Sequence, residues 1–121
     1  MITTKRVYEP PVPNDGKRFL VERLWPRGVK KEALQMDAWI KEVAPSDALR
    51  RWFNHDPAKW KDFQKRYHAE LNKKPEALQQ LIGASKSGNL TLLFSAHDLE
   101  HNNAIVLKDY LERAAEKKKQ H

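Results

Sequence analysis

Hydrophobic and polar positions along this chain fall into two periods, short apolar runs of strand length and longer stripes of helical spacing. Leu90 to Phe94 is an almost unbroken apolar run after Gly88-Asn89. A run of that length bounded by turn residues reads as a strand buried on both faces, as in a parallel sheet. Ile2 to Tyr8, rich in β-branched residues, predicts a second strand, and Arg18 to Leu24, with Phe19, Leu20 and Val21 at its centre, a third. Asp37 to Val43 suits a strand or a single helical turn. The strand, over Ala38–Val43, is preferred, because with helical propensity at Lys30–Gln35 it completes a strand, crossover, strand unit.

The remaining pattern is helical. Ser46 is a good N-cap for a helix through Phe53, and Asp56-Pro57 is a cap followed by the residue best tolerated at a first helical position. Trp60, Phe63, Tyr67 and Leu71 then recur at helical spacing, with Lys59, Lys61, Asp62, Lys65 and Arg66 on the other faces. So regular and one-sided a stripe predicts core packing rather than base stacking. Pro75 to Ser87 reads as a helix burying Leu78, Leu81 and Ile82, and Ala104 to about Glu116 as the last, with Asp109 and Arg113 as an i,i+4 pair. Between the first two strands, three prolines and Asn14-Asp15-Gly16 enforce a loop. The expected fold is a single α/β domain over 1–116, a small three-layer structure with a short, mostly parallel sheet covered by helices on both faces. Residues 117–121 read as a disordered basic tail.

Composition narrows the setting. A chain of 121 residues is long enough for one core, and without cysteines it has neither disulfides nor thiolate chemistry, which suits a reducing cytoplasm. No membrane-spanning run or signal-peptide pattern is present. The excess of 23 Lys and Arg over 16 Asp and Glu gives +7 and favours anionic partners. Much of it sits at Lys73, Lys74 and Lys117 to Lys119, where solubility explains it without nucleic acid.

Candidate chemistry collects where two predicted strands end. Glu22-Arg23-Leu24-Trp25-Pro26-Arg27-Gly28 sets Arg23 and Arg27 around Trp25 on a loop stiffened by proline, and guanidinium forks pair bidentately with phosphate or carboxylate. The bland alternative makes Trp25 a core anchor with arginines stacked over it. After Phe94 come Ser95, His97, Asp98, His101, Asn102 and Asn103, just before a helix. In open parallel sheets the crevice at the strands' carboxyl ends binds ligands, and a helix N-terminus there favours anions. Arg23, Trp25, Arg27, Ser95, His97, Asp98, Asn102 and Asn103 are therefore expected to line one site for a small anionic ligand, such as a phosphorylated compound, with no cofactor.

Catalysis stays open. His97 or His101 could serve as acid or base, and Ser95 as a nucleophile only beside a base; otherwise its hydroxyl caps the loop. A metal site at His97, Asp98 and His101 is not favoured, because two histidines four residues apart share a face only on a helix. The competing function is nonspecific nucleic-acid binding by the basic surface, with Trp25 or Trp52 stacking, although no helix-turn-helix is evident.

Arg-Leu-Trp-Pro-Arg-Gly at 23 to 28, Ala-Pro-Ser-Asp-Ala-Leu-Arg-Arg-Trp-Phe-Asn-His-Asp-Pro at 44 to 57 and Leu-Thr-Leu-Leu-Phe-Ser-Ala at 90 to 96 resemble the YeaO-like bacterial proteins of domain of unknown function family 488. The resemblance covers nearly the whole chain and implies no particular activity. Larger members of that grouping carry a cysteine at the end of the last strand and a Cys-His-Arg cluster opening the next helix. The matching positions here are Ser95 and, approximately, Asn102, Asn103 and Ala104. Cysteine chemistry therefore does not carry over.

Overall fold

The computed structural model of the chain describes the backbone of residues 1–119 and the side chains of residues 1–115. Four strands, β1 (Ile2–Arg6), β2 (Lys17–Leu20), β3 (Ala38–Trp39) and β4 (Leu90–Phe94), form one sheet in the order β1-β4-β2-β3. All three pairings are parallel, with Ile2 opposite Leu90 and Lys17 also opposite Leu90. The helices are α1 (Asp47–Phe53), α2 (Trp60–Leu71), α3 (Pro75–Ser87) and α4 (Asn103–Lys119). The α/β class and the parallel sheet agree with the hydrophobic pattern, and β4 spans the expected residues, every one buried.

The other strands are shorter than expected because β4 limits what they can pair with. β1 stops at Arg6 rather than Tyr8: Val7 N–H still donates to Phe94 O, at 2.8 Å, but β4 goes no further, and the Glu9 carboxylate turns the chain by accepting from Arg6 N–H. β2 ends at Leu20 rather than Leu24, one step after which Val21 N–H makes the last bond to Leu93 O. In place of a strand over Ala38–Val43, Ala38–Trp39 pairs with β2 and Lys41–Val43 winds into a 3-10 turn, so both readings of that segment are partly realised. Lys30–Gln35 forms no helix. A single turn closes there, Ala33 N–H to Lys30 O, and the chain runs on extended to β3.

The sheet's two faces are covered differently. Phe19, Val21, Leu90, Leu92 and Phe94 point into the larger core, where α1 to α4 contribute Leu49, Phe53, Phe63, Tyr67, Leu71, Leu78, Leu81, Val106, Leu107 and Leu111. Leu20 and Leu93 point the other way into a smaller cluster with Val7, Leu34, Trp25, Val29, Met36 and Trp39. The second layer is thus supplied by the irregular connection after β2, not by a helix. Trp25, Val29, Leu34 and Met36 of that connection, with Trp39 of β3, cover the face by side-chain bulk, and Trp25 lies edge-on to Trp39 at 5.3 Å.

Local devices hold the frame. Ser46 caps α1 by accepting from Leu49 N–H, and its own N–H and hydroxyl donate to Glu70 at 2.8 and 2.6 Å. Asp56 accepts from Ala58 N–H ahead of α2. The α2 stripe faces the core as its spacing implies: Phe63, Tyr67 and Leu71 are buried, Trp60 half-buried, and Phe53 stacks on Phe63 at 4.3 Å. Burial raises the Tyr67 phenol far above its ordinary range, and its O–H donates to Val43 O. Gly16 is required in the loop before β2. Its φ is 62°, and a Cβ there would sit 2.1 Å from Asn89 O. The α4 backbone continues to Lys119, beyond the expected end near Glu116 and into the segment expected as a disordered tail, whose last residues, 120–121, lie outside those described.

Candidate functional site

The parallel sheet sets the carboxyl ends of β2 and β4 side by side, so the loops leaving them meet. Between them lies a cleft of about 650 Å³ lined by all eight residues singled out from the sequence, Arg23, Trp25, Arg27, Ser95, His97, Asp98, Asn102 and Asn103. Tyr8, Glu22, Arg50, His55 and His101 complete its polar lining, while Leu24, Pro26, Pro45, Phe53 and Phe63 supply apolar surface.

Several of the eight are held by the fold. Asn102 caps α4, its side-chain oxygen accepting from Ile105 N–H at 3.0 Å, and Asn103 donates to Val21 O at 2.8 Å, which ties the helix start to the exit of β2. Trp25 donates its indole N–H to Val29 O and packs on Trp39, so the ring is an anchor, but among the described residues the cations stack on Tyr8, Trp39 and Trp52 and not on it. Arg23 reaches Pro45 O at 3.2 Å and Ala44 O at 3.5 Å, pinning the loop before α1. Asp98 closes the turn into α4: it accepts from the Glu100 and His101 N–H groups and lies 2.9 Å from the His101 ring. The Glu100 N–H bond is the main reason its carboxyl is held below the usual range, assisted by His101. His97 turns instead toward Arg6, whose guanidinium holds Ser95 O and Ala96 O. The trio considered for a metal therefore does not converge, and no group of three His, Asp or Glu side chains among the described residues is arranged to hold one.

The floor of the cleft is Glu22, which the sequence marked only as the polar end of a strand. Its carboxylate accepts from Ser95 N–H, and the Ser95 hydroxyl lies 2.8 Å from Oε2 and 3.0 Å from Oε1. Burial pushes the Glu22 carboxyl up, only partly offset by those Ser95 bonds and by the charges of His55 and Arg50. Arg50 and His55 also escaped the sequence reading. Asn54 and His55 both adopt left-handed backbone, with φ of 46° and 55°, and this pair of turns carries the chain from α1 past the cleft. Asn after a helix hints at such a turn, whereas a second consecutive non-glycine residue at positive φ is uncommon and is the kind of backbone found at functional sites. Tyr8 donates its hydroxyl to Arg27 O at 3.2 Å, joining the β1 exit to the rim.

The balance of charge is plain. Three arginines and three histidines line the cleft against two carboxylates, one already engaged by the turn into α4. Arg27 is exposed and makes no ion pair among the described residues, and Arg50 shares only an exposed contact with Asp47 at 3.2 Å.

Comparison with known proteins gives a family and no further geometry. Over 110 residues the chain is 44% identical to the uncharacterised protein YeaO of Escherichia coli, covering 91% of this chain and 96% of that one. It is 36% identical over 110 residues to the uncharacterised proteins Mb3100c of Mycobacterium bovis and Rv3073c of Mycobacterium tuberculosis, covering 91% of this chain and 92% of theirs. No solved structure matches. The family described as the inactive DUF488-N3 subclade matches residues 1–121, and the chain belongs to it.

Proposed function

We propose that the cleft binds a small anionic ligand, phosphorylated or carboxylated, and that the protein acts as a cytoplasmic binding module. The observation that carries this reading is the convergence of Arg23, Arg27 and Arg50 with three histidines on one cleft at the carboxyl ends of β2 and β4. Three arginines against two carboxylates, next to a helix start, favour a negative guest, to which the histidine rings add hydrogen-bonding groups.

Binding is preferred over catalysis on chemical grounds. The Ser95 hydroxyl is hydrogen-bonded to a carboxylate, a weak base toward an alcohol even with its pKa raised, and the same carboxylate is tied to Ser95 N–H. The family's description as inactive points the same way. Nucleic-acid binding has less support. Trp25 is spent on Trp39 and Val29 O, and Trp52 is already covered by Arg66 at 4.2 Å and Lys59 at 5.2 Å. No helix among the described residues is long and apolar enough to cross a membrane.

The test is thermal unfolding in phosphate or sulfate, comparing wild type with Arg27→Ala at equal salt, because kosmotropic anions also stabilise proteins nonspecifically. The wild type should gain more than the variant. Equal gains would remove Arg27 from the site and with it the main support for an anion there.

A further inference from the structure

A carboxylate at the floor of a cationic cleft narrows the ligand beyond its charge. A carboxylate offers about four lone-pair positions. Ser95 brings two hydrogens to Glu22, one from its N–H and one from its hydroxyl, so acceptor capacity remains on a group that lines the cleft. Those same two bonds fix the carboxylate in place before any ligand arrives, the preorganisation that makes a hydrogen-bonding group selective. Asp98 keeps less of that capacity, since two backbone N–H groups and the His101 ring already face it.

Beside a plain anion such as phosphate, Glu22 would only repel. A guest that carries an N–H donor as well as an anion converts that repulsion into a charge-assisted hydrogen bond. Pro45 and Phe53 give the cleft apolar surface for the body between those two groups, and about 650 Å³ is ample for a guest of that size. We propose that Glu22 is the specificity-determining acceptor of this cleft, and that the ligand is a monophosphate whose ring bears an exocyclic amino group, as in an amino-bearing nucleotide. Arg27 and Arg50 hold the phosphate and Glu22 reads the amine. This rests on the anion-binding reading above and goes further by naming what the ligand carries at its other end.

Matched nucleotides test it, because cytidine and uridine monophosphate, or adenosine and inosine monophosphate, differ by an exocyclic amino group in place of a carbonyl, with a proton on the neighbouring ring nitrogen only in the carbonyl member, so the comparison reads the exocyclic position. Calorimetric titration of the wild type at constant ionic strength should show the amino member of at least one pair binding about tenfold more tightly. In Glu22→Gln the amide oxygen must accept from Ser95 N–H, which turns the amide N–H₂ toward the cleft, so the preference should vanish or reverse. The unfolding midpoint of that variant shows whether it is folded, and the wild-type comparison stands without it. Arg27-dependent binding of inorganic phosphate with no difference within either pair overturns this inference and leaves the anion site intact. If neither phosphate nor any of the four nucleotides binds, both fall.

Discussion

Two clusters of charge in this small protein use the same residue types to opposite ends. On the sheet face away from the helices, Asp15 sits between Arg18 and Lys5, the first in direct contact and the second 3.1 Å away. Asp15 and Arg18 are 5% and 6% exposed, and the rest of the cluster is satisfied by backbone: Val12 N–H donates to Asp15, Arg18 donates to Gln35 O at 2.7 Å, and Lys5 to Pro10 O at 2.9 Å. Burial alone would raise the Asp15 carboxyl, but the Val12 N–H and the two cations outweigh it and hold the group below its ordinary range. In the cleft the relation is reversed. Glu22 has hydrogen bonds but no ion pair among the described residues, and burial raises its carboxyl. A charge cluster that completes itself braces a fold; one left incomplete is free to complete itself with a ligand.

That contrast can be broken at either end. The largest effect belongs to neither set of charges. Phe63 lines the cleft yet is 2% exposed in the main core, and Phe63→Ala should cost about 3–5 kcal/mol in chemical denaturation, since it leaves a cavity as well as losing transfer energy. A loss under about 1 kcal/mol would mean that Phe63 is held in the cleft lining and not in the core.

Next comes the compensated cluster. Asp15→Asn strands a buried guanidinium and should cost about 3 kcal/mol near neutral pH. Because the folded Asp15 pKa is depressed, its contribution is present above the ordinary carboxylate pKa and is lost as pH falls through the depressed value. The gap between wild type and variant should therefore close in acid, and a pH-independent gap would point to packing instead. Tyr67→Phe leaves Val43 O without its buried donor and should cost about 1–2 kcal/mol by the same denaturation measurement.

The incomplete cluster should behave in the opposite sense. With the folded Glu22 pKa raised, the stability tied to it is full below the ordinary glutamate pKa and is lost as pH rises through the raised value. Glu22→Gln should match wild type in acid and become the more stable of the two as pH rises, which unfolding midpoints across a pH series will show. The smallest effect is at Arg27, exposed and without an ion pair among the described residues, where Arg27→Ala should change stability by less than about 0.5 kcal/mol without anion. A large loss there would move Arg27 from the proposed anion site to the frame.

The sequence alone determined what local chemistry controls. The apolar run of Leu90–Phe94, the caps at Ser46 and Asp56, the α2 stripe and the glycine after Asn14-Asp15 all appear where their patterns placed them, because each depends on neighbours within a few residues. The eight rim residues were also legible, since strand exits converge in any parallel sheet. Tertiary structure decided the rest. Strand lengths depended on how far β4 runs beside its neighbours, and no window around Leu24 or Tyr8 contains that information. The cover on the second sheet face came from a connection without periodicity, so it gave no signal. Glu22, Arg50 and His55 are unremarkable in sequence: Glu22 gains its meaning from Ser95, 73 positions later, and Arg50 and His55 from their charge near Glu22, because burial and charge balance are sums over space rather than along the chain.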